Sequence, residues 1–94
     1  MRGELIRVLS AVEEKANELK MDGFEPDVVL FGKEAYEFLK AQVDEEFGGD
    51  EKVTEISGLR VKLLEELGKD AVVIDSKMLG VGLGGAKRIK VIKE

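Results

Sequence analysis

The sequence predicts an α+β fold, a single small domain in which two main helices pack on a mixed β-sheet of about four to five strands. Two stretches, 4–21 and 33–47, repeat their apolar residues at helical spacing. Short apolar or alternating runs, "DVVLF", "LRVKLLEEL" and "AVVID", stand between and after them, each followed by glycine or a polar turn. A chain of 94 residues has room for one core, so residues 1–94 are expected to form one domain.

Taken in order, Leu5, Leu9, Val12, Ala16 and Leu19 form the apolar stripe of a first helix, widened by Ile6 and Val8, with Glu13, Glu14, Lys15 and Glu18 opposite. Asp22-Gly23 ends it, glycine being the residue that most readily takes the left-handed cap conformation, and Phe24 is expected to return to the core. Pro26 then introduces "DVVLF", a continuous apolar run that reads as a strand buried on both faces. After Gly32, Ala35, Phe38, Leu39, Val43 and Phe47 mark a second amphipathic helix, with Glu34 near its N-terminus, closed by Gly48-Gly49-Asp50. "KVTEIS" and "LRVKLLEEL" read as strands parted by Gly58, and Gly68-Lys69-Asp70 as a turn. "AVVID" reads as another buried strand and "KRIKVIK" as a half-exposed final one.

Charged residues make up 37% of the chain and hydrophobic residues 44%, which describes a globular protein with a heavily ionised surface. Most of that charge is Glu and Lys, and thermolabile residues are scarce, a balance that resembles a hyperthermophile's protein. The net charge of -5 argues against a sequence-independent grip on nucleic acid. No apolar run approaches the about 20 residues that span a bilayer, and "MRGELIRVL" is too charged for a signal peptide, so the expected location is cytoplasmic with no membrane partner.

Four glycines crowd the stretch from Gly80 to Gly85, and Gly80, Gly82 and Gly85 fit the G-x-G-x-x-G pattern that cradles phosphates. A dinucleotide loop needs a helix to begin at its last glycine, whereas Ala86 to Lys93 shows a strand's period of two. The Walker pattern fails as well, because Lys87 follows Ala86 and precedes Arg88. A kinase-type glycine flap suits a loop between strands, but the catalytic Asp and Asn that go with it have no chain left to occupy. A glycine-rich connection between two strands accounts for the pattern without a ligand.

The chain has no histidine and no cysteine, which removes Ser-His and Cys-His nucleophile systems and imidazole- or thiolate-bound zinc. "DEEFGGDE" concentrates carboxylates at 44–51 without the ligand spacing of a calcium loop, so no metal or other cofactor is expected there. Asp75-Ser76-Lys77 sets a hydroxyl beside an amine, but neighbours at a strand end diverge, which favours turn chemistry over a Ser-Lys nucleophile. Lys87, Arg88, Lys90 and Lys93 make the last strand basic, while 44–51 is acidic. Opposite patches on one small domain fit contacts between identical copies, and lysines on an edge strand equally guard against aggregation.

The stretches "PDVVLFGKEAYEFLKA", "ISGLRVKLLEELGKDAVVIDS" and "AKRIKVIKE" together resemble the A-domain of the phage-capsid and encapsulin shell-protein family. More closely, the chain resembles the small archaeal proteins classed as family 4 encapsulins, which look like an isolated A-domain. The resemblance implies a capsid A-domain-like fold, a non-catalytic part in assembly, and a Gly80–Gly85 loop placed like a segment that crowds a symmetry axis or lines a pore. The family's N-terminal arm, extended loop and peripheral domain have no counterpart in these residues. What it implies is therefore a stand-alone module that forms a small ring, a dimer or an accessory to a metabolic enzyme.

The expected function is that of a non-enzymatic scaffold that self-associates, with Gly80, Gly82, Gly84, Gly85, Lys87 and Arg88 as the candidate assembly or ligand loop. The alternative is a regulatory module that holds an anion or nucleotide with the same loop and Lys77, Lys87 or Arg88. A carboxylate enzyme built on Glu65, Glu66 or Asp75 is a third reading, and no pattern in the sequence makes those groups converge.

Overall fold

The structure is a computed structural model and describes residues 2–49, 52–78 and 85–92. Two helices, α1 (Arg2–Met21) and α2 (Lys33–Phe47), pack on a mixed sheet of five strands, β1 (Val28–Phe31), β2 (Glu55–Ile56), β3 (Leu59–Leu63), β4 (Asp70–Ile74) and β5 (Ala86–Lys90). The strand order is β2-β3-β1-β4-β5, with β1 and β3 parallel and the other pairs antiparallel. The parallel pair follows from α2, because parallel neighbours need a long crossover while antiparallel ones can be joined by a turn.

Both helix ends are sealed where glycine predicted they would be. Gly23 sits at φ 91°, its N–H donates to the Lys20 carbonyl, and the Phe24 N–H donates to the Leu19 carbonyl at 2.9 Å, the paired bonds of a Schellman cap. Phe24 then packs against the core, as its position after the cap requires. At the end of α2, Gly48 takes φ 69° and its N–H donates to the Asp44 carbonyl.

Gly32 does something the sequence does not announce. The backbone at Leu67 and Gly68 crosses directly over it, so that a Cβ at residue 32 would fall on the Gly68 nitrogen and oxygen. The crossing brings the Gly68 carbonyl to the Ala35 N–H at 2.9 Å and caps the start of α2 with main chain in place of a side chain.

The core lies between the helices and one face of the sheet. Val8, Val12 and Leu19 of α1 and Leu39 of α2 meet Val29, Phe31, Ala71 and Val73, all of them at most 1% exposed. Their alternates along the strands, Val28, Leu30, Val72 and Ile74, must point to the opposite face.

Three strand boundaries differ from expectation. "LRVKLLEEL" leaves the sheet at Leu63, and Glu65–Leu67 form a 3₁₀ turn that carries the chain to the Gly68 crossing. "KVTEIS" contributes only Glu55–Ile56, because the Val53 N–H is drawn to the Tyr36 hydroxyl on α2. β5 ends at Lys90, where the Val91 and Ile92 N–H groups turn to the Lys69 carbonyl.

Candidate functional site

Gly80, Gly82 and Gly84 of the candidate loop lie outside the described residues. Gly85 is buried where the loop rejoins the sheet, and its carbonyl accepts the Asp75 N–H at 2.9 Å. Its backbone is ordinary, and an added Cβ would meet Met78 and Asp75 atoms only at normal contact distances. Gly85 therefore closes the β4–β5 ladder without depending on being glycine.

Lys87 and Arg88 are neighbours on β5 and so project from opposite faces of the sheet. Lys87 lies on the helix side, with its Nζ 3.9 Å from both Glu18 of α1 and Asp22 just beyond the end of that helix. Arg88 lies on the open side, where its Nε donates to the Asp70 carboxylate at 2.7 Å. The structure does not bring these two cations together around one anion.

A tightly tied polar cluster sits beside Gly85, where β1 begins and β4 ends. Asp75, 3% exposed, accepts the Glu25 N–H at 2.8 Å on one carboxylate oxygen and the Lys77 N–H at 3.1 Å on the other. Beside it, Asp27 accepts both the Ser76 N–H at 2.9 Å and the Ser76 hydroxyl at 2.6 Å. Burial pushes the Asp27 carboxyl up, but the two Ser76 bonds and Arg60, 3.9 Å away, outweigh it and hold it below the ordinary carboxylate value. These bonds are the turn chemistry expected at 75–77, and they satisfy backbone donors rather than prime the Ser76 hydroxyl for attack. The sequence signal was an Asp at each strand end. What it could not show was that Asp27 reaches across to Ser76.

Beyond α2, a groove of about 380 Å³ runs along β3, lined by Tyr36, Lys40, Val53, Val61 and Leu63, and a second of about 600 Å³ adjoins it at Val43 and Phe47. Phe47 is 76% exposed there and Leu63 53%. Apolar side chains left this open on a small domain mark surface that suits a partner more than a reaction. Of the carboxylates of 44–51, Asp50 and Glu51 lie outside the described residues; Asp44 is paired with Lys40 at 2.8 Å, and no metal-ligating cluster occurs among the described residues. Glu65 and Glu66 stand exposed on the 3₁₀ turn, away from buried Asp75. No described helix is long and apolar enough to cross a membrane.

The open apolar surface suits a partner, and comparison with known proteins points to a structural part. A family model described as "Putative type 4B encapsulin shell protein" matches residues 2–93. The chain belongs to this encapsulin shell-protein family. A protein of the archaeon Pyrococcus furiosus with the same description is 36% identical over 85 residues, which cover 90% of this chain and 72% of that protein. The family match spans every strand and both helices, so the resemblance expected from the order of elements extends to the whole sheet of this encapsulin-like chain.

Proposed function

We propose that the chain is a non-enzymatic, A-domain-like structural module that associates with further copies of itself, with the connection from Gly80 to Gly85 as its candidate assembly loop. The observation that carries the reading is membership of an encapsulin shell-protein family across residues 2–93. A five-stranded sheet with helices on one face supports it, because Leu30 and Val72 on the other face are left half-exposed. The opposed placements of Lys87 and Arg88 favour assembly over an anion site on this loop. A metabolic enzyme is a further partner that such a module could serve as accessory, in the cytoplasm.

Light scattering across a concentration series, with negative-stain images of the same fractions, tests the reading. A discrete ring or a larger particle is the expected result. A strict monomer at every concentration would overturn it.

A further inference from the structure

The register of the sheet defines what its uncovered face carries. Directly paired residues share a face, so one row reads Lys62, Leu30, Val72, Arg88, and the row beside it Arg60, Val28, Ile74, Ala86. Lys90 extends the same face beside Asp70. Val28 and Ile74 are buried at its centre and Leu30 and Val72 half-buried, while Arg60, Lys62, Arg88 and Lys90 are exposed around them, against exposed Glu55 and half-buried Asp70, which pairs with Arg88 at 2.7 Å. On a protein of net charge -5, this face thus carries more cations than acids.

The helix layer carries the opposite charge. Among the residues of α1 and α2 whose side chains are described, the exposed charges are Glu4, Glu13, Glu14, Glu34, Glu37 and Glu45 against Lys20 and Lys33. Glu34, Glu37, Ala41 and Glu45 follow one another at helical spacing, an outward stripe of α2 with no cation in it. That stripe runs about 16 Å along the helix axis. The basic row from Lys62 to Arg88 crosses four strands, about 14 Å.

We propose that the open sheet face of one copy docks on the outward α2 face of a second copy, with Lys62 and Arg88 meeting the stripe of Glu34, Glu37 and Glu45 and Leu30 and Val72 covered between them. The inference rests on the self-association proposed above and specifies its surfaces. Two sheet faces cannot pair with each other, since like charges would then be opposed across the contact. A contact between two different surfaces is heterologous, so it propagates head to tail and closes into a ring where its rotation permits.

Charge reversal tests this cleanly because the contact has two distinct sides. The sheet variant is Lys62→Glu with Arg88→Glu; the helix variant is Glu37→Lys with Glu45→Lys. Each alone should lose assembly, its mass by light scattering falling about twofold or more. An equimolar mixture should recover the wild-type size, because each sheet face then finds a helix face of opposite charge. A far-UV melting curve on each variant separates lost contact from lost fold, and recovery in the mixture requires folded partners.

Wild-type assemblies that the reversals leave unchanged would overturn these surfaces and leave self-association standing. Dissociation without recovery on mixing would overturn the pairing of sheet with α2 and point to a different acidic partner, protein or polyanion. A wild-type monomer at all concentrations would overturn self-association itself.

Discussion

Gly32 and Asp27 show what single residues decide in this molecule. At Gly32 the crossing of the 67–68 backbone leaves no room for a methyl group, and the clash is with main chain, which cannot rotate away. Gly32→Ala should therefore cost about 3 kcal/mol. Gly85→Ala, inside the candidate loop, should stay within about 0.5 kcal/mol. Urea midpoints of the two variants check this, and equal losses would refute the distinction. Asp27 makes a different claim, one that depends on pH. Its folded pKa is depressed, so its contribution is complete above the unfolded value of about 3.9 and is lost as pH falls through the folded value. At pH 7, Asp27→Asn should cost about 1–2 kcal/mol, and the gap from wild type should close as pH drops below about 4. A gap that stays constant down to pH 2 would show that the carboxylate charge is not what holds Ser76.

At the scale of elements, helix α1 separates packing from propensity. Leu19 is fully buried against the sheet, whereas Ile6 on the same helix is 62% exposed. Leu19→Ala should cost about 2–5 kcal/mol and Ile6→Ala less than about 0.5, measured by denaturant unfolding. Comparable losses would mean that Ile6 is covered, as it would be in an assembly. The stripe that places Leu19 inside is readable from spacing alone, as is the Asp22-Gly23 stop, because both are local effects within a turn or two of helix. Strand limits were less readable. "LRVKLLEEL" keeps apolar residues through Leu64, but after the Leu64 N–H makes the last ladder bond, to the Phe31 carbonyl, the chain turns toward the crossing at Gly32. Val53 is likewise taken from its strand by Tyr36, a residue seventeen positions away and on another element. Pattern reading sees neighbours in sequence, and these boundaries are fixed by neighbours in space.

For the whole molecule, the sequence showed a basic last strand but not the face that it builds with β3. Arg60 and Lys62 alternate with Val61 and Leu63, and Arg88 and Lys90 alternate with Ile89. Only the order β3-β1-β4-β5 brings the two alternations to one side of a sheet. Lys87, grouped with them by composition, belongs to the covered side. That arrangement couples assembly to stability. Association by the native state stabilises it by mass action, up to about 2.7 kcal/mol for a ligand or partner copy at a hundred times its dissociation constant. For a domain of this size each kcal/mol moves the midpoint by about 4–8 °C. Calorimetry in low salt at two concentrations a hundredfold apart should thus show the wild-type melting temperature rising by several degrees. The Lys62→Glu, Arg88→Glu variant should melt at the same temperature at both concentrations, and wild type should do so too near 1 M salt, where screening shortens the reach of exposed charges to about 3 Å. A wild-type midpoint that ignores concentration in low salt would place the basic face in water, with no copy of the chain upon it.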